Sequence, residues 1–238
     1  MADHCANKII MKQIKTTTTL LCASVALLLS ACTKKENNVS TLTEGVASSI
    51  TTLNLSAPIA EAKFYKLFEN YNSSDKFEGS GVKYVSGYFY AVFDNRFKIG
   101  KIKSTLPINS SQNSLLSSGS GDSGFEGIAY DNYGTANFYV VNENTSHNGA
   151  YSPVIYEYDG SMNYQTNTWA PYSFSSSLSN KGFEGLTWIR RNSNDYLLGI
   201  CESTGNIVVM VQNGSNWDYV TTFSIPAGTG MTDFSDID

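Results

Sequence analysis

The sequence predicts an all-β protein assembled from repeated units of four antiparallel strands. Three observations carry this expectation. Tyr and Phe, with 15 and 12 residues, dominate the aromatics, and runs rich in aromatic and β-branched residues alternate with Gly, Ser, Asn and Thr. Four segments begin alike, at Phe77-Glu78-Gly79, Phe125-Glu126-Gly127-Ile128, Phe183-Glu184-Gly185-Leu186 and Phe234-Ser235-Asp236-Ile237, spaced by roughly 48, 58 and 51 residues. Between these starts each complete repeat divides into about four strand-like runs. A period near fifty residues with four strands is the anatomy of a β-propeller blade rather than of a helical solenoid. Short strands alone also suit two packed sheets, which remains the alternative architecture.

Taken in chain order, residues 1–32 read as an export signal and are set apart from the fold. Lys12 and Lys15 form a positive n-region, and Leu20 to Leu29 is an apolar core too short for a permanent membrane span. The stretch closes on Leu29-Ser30-Ala31-Cys32, which resembles the lipobox of bacterial lipoproteins, with the Cys32 thiol as the lipid acceptor. An ordinary secretory peptide that happens to carry a cysteine is the plainer alternative. Met11 is the expected natural start, because a complete signal follows it. Processing at Cys32 leaves more than one acyl chain, which gives stable membrane anchoring where a single chain does not. Residues 33–60 are polar, without apolar periodicity, and read as a flexible tether. The propeller domain is assigned to residues 61–238, held in the cell envelope at the outer membrane, facing periplasm or cell surface.

Once the leader is removed with Cys5 and Cys22, and Cys32 is acylated, Cys201 is the only cysteine left. No disulfide within the mature domain is then possible. Cys201 follows the apolar run Tyr196-Leu197-Leu198-Gly199-Ile200, which reads as a buried thiol. His147, in the loop-like Asn144 to Gly149, cannot build a multi-histidine metal centre alone. The formal charge of −5 and the absence of a basic stripe exclude nucleic acid as a partner.

The third repeat shows the expected strands most clearly, at Gly185–Ile189, Tyr196–Cys201, Asn206–Gln212 and Trp217–Ile225, separated by turn-forming residues. In the second, Phe138–Asn142 and Val154–Tyr158 are the clearest middle strands. Phe125-Glu126-Gly127-Ile128-Ala129-Tyr130-Asp131 with Phe138-Tyr139-Val140-Val141-Asn142-Glu143 resembles the SdiA-regulated and esterase-like-phytase group of β-propellers. Phe183-Glu184-Gly185-Leu186-Thr187-Trp188 with Leu197 to Glu202 looks like the next blade of that group. Gly81-Val82-Lys83-Tyr84 with Tyr90 to Asp94 is similar to its opening blade. The resemblance covers roughly Phe77 to Asp238 and implies a propeller, with phosphoester hydrolysis on clustered Ca²⁺ as one activity. The run Ala62 to Phe68 reads as the outer strand of a partial blade, and Phe234 to Asp238 as the start of another. Together they predict three full blades of an incomplete ring, cut from a longer chain.

A second acid recurs in step with the first, pairing Glu78 with Asp94, Glu126 with Glu143, and Glu184 with Glu202. The midpoints of these pairs fall on Ser86-Gly87, Gly134-Thr135 and Ser193, where turn chemistry independently places hairpin loops. Each blade is thus expected to set two carboxylates side by side at one end of its inner hairpin. Like charges so close raise one another's pKa or require a counter-charge. Ca²⁺ is the expected cation, since it takes carboxylate and carbonyl oxygens, and Asp236 joins the six as a seventh candidate ligand. An alternative makes the first-strand glutamates latches that accept backbone N–H groups of the next blade, leaving Asp94, Glu143 and Glu202 to face ligand. Arg96, Lys98, Arg190 and Lys181 lie nearby in sequence, as counter-charges or as an anion site.

Two motifs mislead. Gly119 to Gly124 satisfies G-x-G-x-x-G, but a strand rather than a helix is expected after it, so no helix N-terminus receives a pyrophosphate. Gly121-Asp122-Ser123-Gly124 is reminiscent of a serine-nucleophile loop, with only His147 as base. Three functions are carried forward. The first is an envelope binding or scaffold module with an acidic, Ca²⁺-binding face, recognising an unidentified small molecule or protein. The second is a metal-dependent phosphoesterase, and the third a mainly structural lipoprotein.

Overall fold

The computed structural model describes residues 8–12, 58–117, 123–174, 181–225 and 237. Cys32, the apolar segment before it, the tether through residue 57 and Asp236 lie outside these residues. Strands β1 (Lys8–Lys12) and β2 (Pro58–Lys63) form a two-stranded sheet. The chain divides into two compact units, Ile10–Glu61 and the remainder, and the rest of the description concerns the second. No helix among the described residues is long and apolar enough to cross a membrane.

Twelve strands make three four-stranded antiparallel sheets, each in chain order and none closed into a barrel. The first sheet is β3 (Gly79–Val85), β4 (Tyr88–Phe93), β5 (Arg96–Lys103) and β6 (Ser114–Ser117). The second is β7 (Phe125–Tyr130), β8 (Phe138–His147), β9 (Ala150–Tyr158) and β10 (Tyr164–Trp169). The third is β11 (Phe183–Arg191), β12 (Asn194–Cys201), β13 (Asn206–Asn213) and β14 (Asn216–Ser224). The hairpins turn where the acid pairs placed them. Ser86-Gly87 and Asn192-Ser193 both have positive φ at each central residue, as does Asn148-Gly149 in the second sheet. That conformation matches the twist of the strands it joins. His147 is accordingly the last residue of β8, stacked on Trp169 at 4.0 Å, rather than a loop residue.

Burial explains the stacking of the sheets. In β8, Phe138, Tyr139, Val140 and Val141 are all buried, which fits a strand covered on both faces rather than one. Phe138 and Val140 join Tyr90, Val92 and Ile99 of the first sheet, while Tyr139 and Val141 join Leu186, Leu197, Met210 and Trp217 of the third. The second sheet therefore lies between the other two.

The first strands β3, β7 and β11 run closest together. A Cβ on Gly81 would lie 2.7 Å from the Glu126 carbonyl oxygen, and one on Gly127 would lie 2.6 Å from the Leu186 nitrogen. These glycines are a packing requirement, because no side chain fits between backbones at that separation.

Two expectations are corrected. Ala62 to Phe68 is not one outer strand: Ala62 and Lys63 end β2, and Phe64–Leu67 is a single helical turn, α1. Phe64, Leu67 and Phe68 are buried, at i, i+3 and i+4, which is helical spacing. The Phe64 and Phe68 rings close over Phe93 and Phe77, with Phe64–Phe93 at 5.0 Å and Phe68–Phe77 at 5.7 Å, and so cap the first sheet. The alignment of the first repeat also moves by two residues. Gly79 pairs with Phe93 as Phe125 pairs with Asn142 and Phe183 with Cys201. Gly79-Ser80-Gly81-Val82, not Phe77-Glu78-Gly79, is the counterpart of Phe125-Glu126-Gly127-Ile128, and Ser80 stands where the later repeats carry glutamate.

Candidate acidic site at the inner strand ends

Glu126 and Glu184 occupy the same irregularity in their sheets. The register of β7 with β8 shifts between Phe125 and Gly127, and that of β11 with β12 between Phe183 and Gly185. The glutamate between is the extra residue, and a bulge of this kind re-aims a side chain. Ser80 donates a hydrogen bond to the Glu126 carboxylate, so the three equivalent positions of the first strands lie together. The Glu126 carboxyl is pushed up to about 8, first by burial and then by the charge of Glu184, with Asp94 and Glu143 adding to the same effect.

Glu143 owes its position to a second bulge. The pairing of β8 with β9 shifts between Asn142 and Thr145, so Glu143 and Asn144 stand opposite Pro153. Pro153 has no N–H to give the ladder, and a bulge is where a proline is tolerated within a sheet. The Glu143 carboxylate then reaches the third sheet, accepting the Gly182 N–H at 2.9 Å. A side chain on Gly182 would collide with the Glu143 backbone. Burial raises the Glu143 pKa, the Gly182 hydrogen bond opposes the rise, Glu202 and Asp94 reinforce it, and Lys181 opposes it. A second-strand acid, Glu143, thus latches one sheet to the next, beside the hydrogen bond from Ser80 of the first sheet to the first-strand Glu126.

A homologous junction joins the first and second sheets through backbone groups. The Asp94 carbonyl accepts the N–H groups of Ser123 at 2.9 Å and Gly124 at 2.8 Å. Ser123 is buried, and its hydroxyl has the carbonyl oxygens of Phe93, Asp94 and Arg96 within reach as acceptors for its one hydrogen. That hydroxyl is a structural pin and not a nucleophile.

Three carboxylates converge. One oxygen from each of Glu143, Glu184 and Glu202 lies within 4.8 Å of the others. Lys181 pairs with Glu202 at 2.8 Å. Asp94 and Glu126 couple electrostatically to this group. Glu78 stays apart from it: its side chain is exposed, while its carbonyl accepts the Asp94 N–H at 2.9 Å.

Two of the basic candidates, Arg96 and Arg190, are engaged elsewhere. Arg96 donates to the Lys76 carbonyl at 2.7 Å, pairs with Asp75 at 3.6 Å and lies over the Phe77 ring at 4.5 Å. Arg190 pairs with Asp195 at 3.0 Å and lies 4.4 Å from the Tyr133 ring centroid. Lys98 sits in β5 opposite Ser117, partly buried. Cys201 is fully buried, and burial pushes its thiol up to about 11, which makes it inert as a nucleophile at neutral pH.

Sequence reading missed Ser80 and Gly182 as parts of this group, whereas it named Lys181 as a counter-charge. The glycine two residues before each third-sheet and second-sheet glutamate, Gly182 and Gly124, was the available signal. No protein-family model and no curated protein matches the chain.

Proposed function

We propose that the three sheets are consecutive blades of a β-propeller, and that the chain is an envelope binding module whose inner strand ends hold a calcium ion. In this reading the domain is tethered to the outer membrane through lipidated Cys32, as a relative of the SdiA-regulated and esterase-like-phytase propellers. Three antiparallel sheets in chain order, with their first strands packed side by side, support the architecture.

The convergence of Glu143, Glu184 and Glu202 carries the cation. Oxygens bound to one Ca²⁺ at about 2.4 Å lie at most about 4.8 Å apart, so the spacing suits a shared ion with little movement. One Glu143 oxygen is already taken by Gly182, leaving the other for metal. Lys181 supplies only one positive charge to this group. A phosphoesterase remains the second reading, because Lys181 beside bound calcium also suits a phosphate oxygen.

The test is calorimetric titration of the intact purified chain with CaCl₂ after chelator treatment. We expect saturable binding and a rise in thermal stability of about 2.7 kcal/mol at a hundredfold excess over Kd. Glu184→Gln is expected to abolish both while leaving the fold intact. No calcium-linked stabilisation sinks the metal site. Chelator-sensitive turnover of p-nitrophenyl phosphate would move the assignment to the esterase.

A further inference from the structure

Away from the acids, the outer strands of the second and third sheets enclose an open cleft of about 470 Å³, lined by Ser152, Ala170, Pro171, Tyr172, Ser173 and Tyr219. Its volume falls in the range of small-molecule sites, roughly 300–1,000 Å³. The cleft exists because of a break in pairing just beyond β10. Ala170 still donates to the Pro153 carbonyl at 2.9 Å, and Phe174 and Tyr151 exchange backbone hydrogen bonds at 2.7 and 3.2 Å. Between these two anchors Pro171, Tyr172 and Ser173 all stand opposite Ser152. Pro171 has no N–H with which to continue the ladder, so the three residues bow outward.

Ser152 is only 6 % exposed, and it lines the cleft. Cleft water satisfies its hydroxyl until a ligand covers it, and such a ligand must offer a hydrogen-bond partner in exchange.

The other walls are firm. The Tyr172 ring is stacked on Phe183, with centroids 5.9 Å apart at 25°, and its hydroxyl is engaged by Asn206 and Cys201. Tyr219, half exposed on β14, has its hydroxyl fixed by Thr222 at 3.1 Å. Thr168 and Asn216 tie the two sheets together at 3.2 Å. Among the described residues no charged side chain lines the cleft.

We propose that this cleft binds a neutral, hydroxylated ring ligand, a pyranose oligosaccharide. Its aromatic walls suit the C–H face of a sugar, while Ser152 and Ser173 supply hydroxyls to hydrogen-bond the sugar's own. An anionic ligand would meet no cation here, and a purely apolar one would leave Ser152 unpaired. The site owes nothing to the acids, so its fate is independent of the calcium reading.

The test is titration of the intact chain, in chelator, with maltotriose, cellotriose and chitotriose in turn. At least one is expected to bind, with affinity falling about tenfold or more in Tyr219→Ala and in Ser152→Ala. Ser152→Ala separates binding from folding, since removing a hydroxyl that faces cleft water leaves thermal stability nearly unchanged. Failure of all three sugars to bind, or full affinity in both variants, overturns the proposal.

Discussion

At neutral pH Glu126 is a carboxylic acid, because burial and the charge of Glu184 push it up to about 8. In the unfolded chain the same group ionises near its ordinary value of 4.5. Below that value both states are protonated and Glu126 costs the fold nothing. As the pH rises from 4.5 toward 8 the unfolded state releases a proton that the folded state keeps, so stability falls by up to ~1.4 kcal/mol per pH unit. Above 8 the loss levels off. Glu126→Gln keeps the shape and an acceptor for Ser80 while removing this liability. In chelator it is expected to melt higher than the unaltered chain at pH 8, with the gap closing near pH 4.5. Urea titrations of both proteins at three pH values measure this directly. A gap independent of pH would show that Glu126 is ionised in the fold and compensated by a cation.

The first strands depend on what they lack. Gly127 meets the backbone of Leu186 and Gly185 so closely that even a methyl group must push β11 away from β7. Gly127→Ala is expected to cost about 1–3 kcal/mol, the usual range for overpacking a site that cannot yield, measured as a lowered midpoint in chemical denaturation. An unchanged midpoint would mean that the strands are not packed as tightly as described. The same glycines show what sequence could and could not reveal. Strand positions in the third repeat were legible to within about two residues, because aromatic and β-branched runs are separated by strong turn formers there. The first repeat was misaligned because Phe77-Glu78-Gly79 copies the letters of the motif, whereas the fold requires glycine at the point of contact, which is Gly81. Ala62 to Phe68 was misread because in so short a run alternation and helical spacing look alike. The acid pairs on the second and third hairpins were legible from symmetry about the turns. That Glu143 latches the next sheet was not, since it depends on a bulge opposite Pro153.

Across the stacked sheets, protection is set by how many neighbours a strand has. β8 carries four consecutive buried apolar side chains, Phe138 to Val141, and is covered by sheets on both faces, each such side chain stabilising by ~1.5–3 kcal/mol. β14 is the outermost strand of the third sheet, and of its nine residues Trp217 alone is buried. Stability in a stack built from nearest-neighbour contacts is not uniform, and local opening begins where burial is least. Native-state hydrogen exchange read by mass spectrometry is therefore expected to show β14 exchanging first, with β7 and β8 holding their amides to the limit of global unfolding. Calcium, if held by Glu143, Glu184 and Glu202, acts on this gradient in a defined way. It bridges the second sheet to the first two strands of the third, so it should slow β11 and β12 far more than β14. Uniform slowing along the third sheet would instead place the ion's effect on global stability alone. Slowing confined to β14 would locate binding at the outer edge, away from the acids.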